Sequence, residues 1–237
     1  MSILGMFARY PEPGKTKTRL AVTVGESAAA DLYACFIRDL VKRTGSLADQ
    51  LWLAITPHTD RSRNWFQSLP GFSSDSSCRL LAQPEGDLGD RIKWFFREAA
   101  AQQRGPVVLI GTDSPDLPSA RISQALDLLM DGSSEVVTVP ATDGGYVLIG
   151  LVGEARTLFD GIRWSSPFTL LDTVESARAA GLRLTVLPSW YDVDQIENLG
   201  TLTALQKDPG LTEAAPCPHT AECLRRVLPD VAEFRDR

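Results

Sequence analysis

The chain has 237 residues, 43% of them hydrophobic and 23% charged, and a formal net charge of −6. That length suits one large α/β domain and is short for two, and the acidic balance excludes broad binding of a nucleic acid polymer, which needs a basic face. A single nucleotide remains open, because a few cations and a metal suffice to hold one. No apolar run approaches the roughly 18 residues of a membrane span, and no basic leader precedes an apolar stretch of about 7–15 residues. A soluble, cytoplasmic protein without a membrane span is therefore expected.

In chain order, short apolar runs at 3–7, 51–55, 79–82, 107–110, 136–139, 147–151 and 184–187 read as strands. Helical periodicity fills the gaps. Ala28, Leu32, Cys35, Phe36 and Leu40 recur at three- and four-residue steps, as do Leu88, Ile92, Phe95, Phe96 and Ala99. Ile122, Ala125, Leu126 and Leu129 repeat the pattern, then Leu170, Leu171, Val174 and Ala177, and last Leu199, Leu202 and Leu205. This alternation predicts an α/β fold with a mostly parallel central sheet flanked by helices. Residues 73–77 read as a loop, and 208–218, with its three prolines and a glycine, leaves the sheet before a short helix at 220–228. The expected division is a main domain over 1–207 and a C-terminal loop and helix, 208–237, packing on it.

Five segments carry candidate chemistry. After the first strand, Arg9, Gly14, Lys15, Lys17 and Arg19 form a cation-rich loop suited to phosphates at the carboxyl end of a strand. Gly14-Lys15-Thr16 imitates a phosphate-binding P-loop, but the glycine that motif needs five positions earlier is Arg9. Pro11 and Pro13 also remove backbone donors. The plain alternative is a solvated basic loop. At the end of the fourth strand, Asp113 is placed to hold Mg²⁺, which takes one or two carboxylates plus substrate phosphates. The plain alternative is that Asp113 or Asp116 merely caps a helix beginning near Ser119, a reading that suits Asp116.

Asp143-Gly144-Gly145-Tyr146 permits close approach of a ligand to the backbone, and equally suits a hairpin turn. Asp192 and Asp194 end an extended segment. Asp194 reads either as a helix cap or as a second metal carboxylate. Gly86, Asp87, Gly89 and Arg91 precede a long helix; the glycines could admit a base or ribose, with Asp87 as a cap. His58 and His219 lie outside every motif and read as surface residues. Cys217, His219 and Cys223 lack a fourth ligand for structural zinc, so free thiols in a surface segment are expected.

As a set these segments resemble the rSAM/selenodomain-associated, glycosyltransferase-A-like transferases, relatives of 2-phospholactate guanylyltransferase and the sugar nucleotidyltransferases. The motif F-A-(R/K)-x-P-x-P-G-x-x-K-T-R-L is matched at 7–20, G-D-L-G-x-R at 86–91, and G-(T/S)-D-S-P-x-L at 111–117. D-G-G-Y follows at 143–146, a tryptophan-serine turn at 164–167, and D-V-D-T-P-E-D-L, loosely, at 192–199. The departures are Gln195, Ile196 and Asn198, with Asp194 retained.

The resemblance implies a nucleotide-diphospho-sugar transferase fold and a Mg²⁺- or Mn²⁺-dependent nucleotidyl- or glycosyltransferase. Its donor would be a nucleoside triphosphate or nucleotide sugar, and its acceptor a small molecule. Lys15, Lys17 and Arg19 would hold phosphates, with Lys15 and Asp113 catalytic. Asp113 and Asp194 would hold the metal, assisted by Asp192. The 86–89 loop would lie near the base, while Asp143, Gly144, Gly145, Tyr146 and Trp164 would face the acceptor. A nucleotide-binding scaffold of the same fold, its activity lost through residues 195, 196 and 198, is the alternative.

Overall fold

Strand β1 (Ile3–Arg9) shows why this sequence makes a two-sided sheet. Side chains alternate across a strand. Leu4, Met6 and Ala8 enter one apolar cluster, while Ile3 enters another on the opposite face. Gly5 faces the second cluster, where any Cβ would overlap the ring of Phe95. Strand β4 (Pro106–Ile110) repeats the division, with Val108 and Ile110 on the first face and Val107 and Leu109 on the second.

The computed structural model describes residues 1–73, 75, 77–153, 157–207 and 213–227. The remaining strands are β2 (Gln50–Thr56), β3 (Cys78–Ala82), β5 (Val136–Pro140), β6 (Tyr146–Val152) and β7 (Leu184–Val186). They form one seven-stranded sheet in the order β3-β2-β1-β4-β6-β5-β7. Only β6 runs antiparallel to its neighbours, joined to β5 through a hairpin at 141–145. The mostly parallel sheet expected from the alternating pattern is what the chain adopts.

Helices α2 (Glu26–Thr44) and α5 (Ser119–Met130) cover the first face, and α4 (Leu88–Gln102) and α6 (Thr169–Ala179) the second. Two short helices, α1 (Thr18–Val24) and α3 (Asp60–Gln67), were not evident from periodicity; each is too short to repeat an apolar stripe. Helix α7 (Ile196–Lys207) follows the 190–195 segment. Among the described residues no helix is long and apolar enough to cross a membrane.

Helix α8 (Pro218–Val227) packs on α2. Its opening N–H groups, from His219 and Thr220, donate to the buried carboxylate of Asp39 at 3.0 and 2.8 Å, and His219 Nδ1 pairs with the same group at 2.7 Å. That anchoring corrects the expectation of a surface segment. Cys217 and Cys223 are buried free thiols, and His219 is engaged at the helix start rather than loose in solvent. Residues 74 and 76 of the serine-rich loop, 208–212 of the proline-rich stretch and 228–237 lie outside the described residues.

The sheet order places the candidate site. From β1 the chain winds outward through β2 and β3, then returns to lay β4 on the other side of β1. Because β1 and β4 are parallel, with Met6 opposite Ile110, the loops after both strands emerge together at one edge. A reversal of winding direction between parallel neighbours opens a crevice at their carboxyl ends, the usual ligand position in such sheets.

Candidate active site

The loop after β1 folds on itself before reaching α1. Lys15 N–H and Thr16 Oγ1 both donate to the Glu12 carbonyl, at 3.0 and 3.1 Å. Gly14 takes a positive φ of 74°. Lys17 follows in the left-handed region, at φ 49° and ψ 46°, as the residue preceding α1. Such a backbone costs a side-chain-bearing residue roughly 1–3 kcal/mol, and it marks functional sites when the surroundings enforce it.

Here it turns the lysine inward. Lys17 Nζ lies 2.5 Å from Asp113 Oδ1 and 2.8 Å from Asp194 Oδ1. The rings of Tyr33 and Phe36 on α2 lie beneath it, their centroids 5.7 and 5.9 Å from Nζ. Burial alone would favour the neutral amine, but the two carboxylates outweigh it and raise the pKa above its ordinary value. Lys17 is therefore a buried, fully charged ammonium.

Asp113 and Asp194 are 81 residues apart in sequence (194 − 113), so their meeting needs explaining. The Val193 N–H donates to the Asp113 carbonyl at 2.8 Å, and Ser114 Oγ donates to Asp192 Oδ1 at 2.7 Å. Asp116, expected to cap α5, instead lies fully buried and receives Trp190 Nε1 at 3.1 Å and Tyr191 Oη at 2.6 Å. The residue preceding α5 is Pro118, with no side-chain cap. Burial raises the Asp116 pKa, while the two donors pull it back. The Arg121 guanidinium, 4.7 Å from the Trp190 ring centroid, braces the same segment by donating to the carbonyls of Pro188 and Ser189.

At the start of α7, Asn198 Oδ1 accepts the N–H groups of Asp194 and Gln195 at 3.2 and 3.0 Å. The departure at position 198 thus supplies its own capping acceptor.

A second chain of hydrogen bonds fixes Asp113 from below. Tyr33 Oη accepts the Arg9 N–H at 3.1 Å and lies 2.7 Å from Thr112 Oγ1, which in turn donates to the Phe7 carbonyl at 3.0 Å. Burial, reinforced by the Asp113 charge, pushes the Tyr33 pKa up to about 12, so the phenol stays protonated. Thr112 and Ser114 fall within the 111–117 motif and Phe36 within a helical stripe, yet nothing in the sequence gives these, or Tyr33 and Trp190, a part in the site. Only their proximity in the fold gives them a role.

Two pockets adjoin this cluster. The first, of about 280 Å³, is lined by Arg9, Lys15, Lys17 and Arg19 together with Asp113 and Asp194. Lys15 and Arg19 are open cations of this pocket, with side chains 60% and 71% exposed against 4% for Lys17, and Arg9 is exposed as well. The second, of about 510 Å³, gathers Asp143, Gly145, Tyr146 and Trp164 with Asp192 and Asp194. Arg19 and Asp194 line both, so the pockets meet at those two side chains.

The wall of the second pocket is two turns pressed together. Gly144, at φ 92°, lies against the Pro167 backbone, where a Cβ would collide with the carbonyl. The Leu170 N–H donates to the Gly144 carbonyl at 2.9 Å. Asp143 Oδ1 accepts the Gly145 N–H at 2.9 Å, so the Asp-Gly turn and the pocket wall are the same structure.

The 86–91 segment borders the second pocket through Leu88. Asp87 caps α4 in a reciprocal box with Asp90, and Gly89 leaves room for the Trp164 indole. Neither glycine, nor Asp87, nor Arg91 lines the cation-rich pocket; Leu88 reaches the second one. Asp192 is likewise apart from the Lys17 cluster's hydrogen bonds, directed to Ser114 and lining the second pocket. Its pKa is pushed up to about 6 by burial, eased by the Ser114 hydroxyl and raised further by the Asp113 charge.

Whether a divalent cation suits these residues can be judged from the donor set. Among the described residues no three His, Cys, Asp or Glu side chains converge as a metal cage. Asp113 and Asp194 nevertheless aim one oxygen each at a single cationic point, and both are nearly half exposed to the pocket. Mg²⁺ asks for no more protein than this when phosphates and waters complete its shell.

A family model described as "Uncharacterized protein conserved in bacteria (DUF2064)" matches residues 40–166. A crystal structure from Desulfovibrio desulfuricans G20, titled a "putative nucleotide-diphospho-sugar transferase", is 34% identical over 95% of this chain and 94% of its own, with a TM-score of 0.83. Two more distant structures share the fold alone. A cytidylyltransferase from Leptospira borgpetersenii is 13% identical, covering 100% of this chain and 97% of its own at TM-score 0.56. A CMP:2-keto-3-deoxy-manno-octonic acid synthetase complexed with CTP is 12% identical, covering 88% and 99% at 0.52. No curated protein matches the chain. The fold is that of the nucleotide-diphospho-sugar transferases, as the motif set implied.

Proposed function

The chain belongs to the bacterial family described as "Uncharacterized protein conserved in bacteria (DUF2064)", and from that premise we propose that it is a transferase moving a group from a nucleotide to a small acceptor. The observation that carries the reading is the junction of two unlike pockets. One is lined by four cations and the other by hydroxyl, aromatic and acidic groups, with Asp194 and Arg19 at their boundary. A donor's phosphates suit the first pocket, and an acceptor hydroxyl in the second would then face the phosphorus or sugar carbon across that boundary.

Nucleotidyl transfer is the preferred version, because four cations against two carboxylates suit the charge of a triphosphate. Lys15 and Arg19, exposed at the pocket mouth, bind and orient the phosphate oxygens. The acceptor oxygen bonds to the α-phosphorus and passes its proton to water, while the bond from the α-phosphorus to the bridging oxygen breaks and pyrophosphate departs toward the cations. Placement and charge stabilisation do most of the work in such transfers, so the absence of a nucleophilic triad is no obstacle. Asp113 and Asp194 would hold Mg²⁺ or Mn²⁺, which when bound supplies charge stabilisation at the phosphates.

Likeness to the Desulfovibrio protein, described as a nucleotide-diphospho-sugar transferase, supports a second version, transfer of a sugar from such a donor. Kinship with the rSAM/selenodomain-associated transferases and 2-phospholactate guanylyltransferase rests on the motifs and belongs to the same reading.

Products separate the versions. Incubation with each nucleoside triphosphate or nucleotide sugar, Mg²⁺ and a pool of small hydroxylated acceptors should release pyrophosphate in the first case and nucleoside diphosphate in the second. Release of neither from any donor, by a protein that does bind nucleotides, would favour the non-catalytic scaffold.

A further inference from the structure

Lys15, Lys17 and Arg19 stand at every second position from the loop after β1 into the first turn of α1, and they differ in what they touch. Lys15 is exposed and pairs with Glu12 at 3.3 Å, and Arg19 is exposed 4.0 Å from Asp194. Lys17 alone is buried, and its ammonium is the shared partner of Asp113 and Asp194. The left-handed backbone at Lys17 and the Tyr33 and Phe36 rings hold it there. The carboxylates remain open to the pocket, at 46% and 44% exposure, while the ammonium beneath them is closed off at 4%. An ammonium and a divalent cation cannot both sit at the contact point of two carboxylates, because like charges at that separation repel strongly.

We propose that Lys17 is the resident counterion of the Asp113/Asp194 pair, holding both carboxylates on one point in the free protein and withdrawing when a divalent cation enters. This rests on the transferase reading above and assigns Lys17 a role in the free protein, before any phosphate is bound. It is a positioning residue. It keeps two carboxylates together that would otherwise repel, and it makes binding of metal alone weak. Phosphates arriving with the metal give the displaced ammonium a new partner, so metal and nucleotide bind best together.

The test uses Mn²⁺ alone, followed by electron paramagnetic resonance and calorimetry, without nucleotide. Lys17→Met removes the competing charge and keeps the stem, and should bind Mn²⁺ about tenfold or more tightly than the wild type, within the usual range of coupling between sites. Lys17→Arg should bind it as weakly as the wild type, and Asp113→Asn in the Lys17→Met background should abolish the gain. A purely structural lysine would do the opposite, lowering both stability and metal affinity when removed.

If Lys17→Met fails to fold, acylation of lysines in the wild type, read by mass spectrometry, replaces it. Lys17 should be protected in the free protein and become labelled once Mn²⁺ is bound. Unchanged or weaker Mn²⁺ binding by folded Lys17→Met, no Mn²⁺ binding by any variant, or Lys17 still protected at Mn²⁺ saturation would each overturn the proposal. Failure of the transferase reading would look different: no nucleotide would bind even where Mn²⁺ does.

Discussion

Asp116 accepts the Trp190 indole N–H and the Tyr191 hydroxyl from a segment more than 70 residues away, and has no exposure of its own. Its replacement by alanine strands two donors in a buried place, at about 1–3 kcal/mol each. Asp116→Ala should therefore lose about 2–5 kcal/mol in urea unfolding, and the surviving folded protein should bind metal and nucleotide less tightly, because Asp194 hangs on the same segment. Undiminished stability would show that the 190–192 segment is held by other means. In the sequence, Asp116 looked like a cap because the only visible neighbour was the coming helix. Its partners are legible only after folding. Lys15, Lys17 and Arg19 teach the same lesson, since three cations of equal appearance separate into two exposed ones and one buried counterion. The place of Asp113 at the pocket was legible because ligand sites in such sheets lie at the carboxyl ends of strands.

Elements position the second pocket through the turn at 163–168 and helix α6. Arg163 makes a two-pronged pair with Asp172, Nε at 2.9 Å and Nη2 at 2.6 Å, and its N–H donates to the same carboxylate at 2.9 Å. These bonds, chiefly the side-chain ones, hold the Asp172 pKa down at about 2. The folded value lies below the unfolded one of about 3.9, so the pair's contribution is present above pH ~4 and fades as pH falls toward about 2. Asp172→Asn should flatten that part of the stability profile, measured by thermal melts between those limits. An unchanged acid slope would mean the pair does not tie the turn to the helix. Strands and long helices announced themselves through period. The turns did not, because their order comes from contacts such as Gly144 against Pro167, which no local pattern encodes.

At the scale of the whole molecule, the winding order does what no single motif can. It sets β1 beside β4 and so brings a basic loop from the start of the chain to a carboxylate from its middle. The antiparallel β6 then carries the hairpin wall to the same edge, and the 190–195 segment closes the site from the far end of the sheet. The fold class was readable from the alternation of strands and helices. The merging of the motifs into two adjoining pockets was not, since it depends on strand order, and periodicity is silent on order. The 86–91 segment shows the same: Asp87 caps α4, Gly89 seats Trp164 and Leu88 lines the second pocket, relations that no local pattern gives.

In the proposed function Asp113 and Asp194, beside the cation-lined pocket, bind a nucleotide together with a divalent metal. Calorimetric titration of nucleoside triphosphates and nucleotide sugars into the protein, with Mn²⁺ and with chelator, tests it most directly, with Asp113→Asn alongside. The account predicts binding of at least one donor that weakens about tenfold or more on chelation, within the usual range of coupling between sites, and loses that metal dependence in the variant. Nucleotide binding indifferent to both metal and Asp113, or none at all in a folded protein, would contradict it.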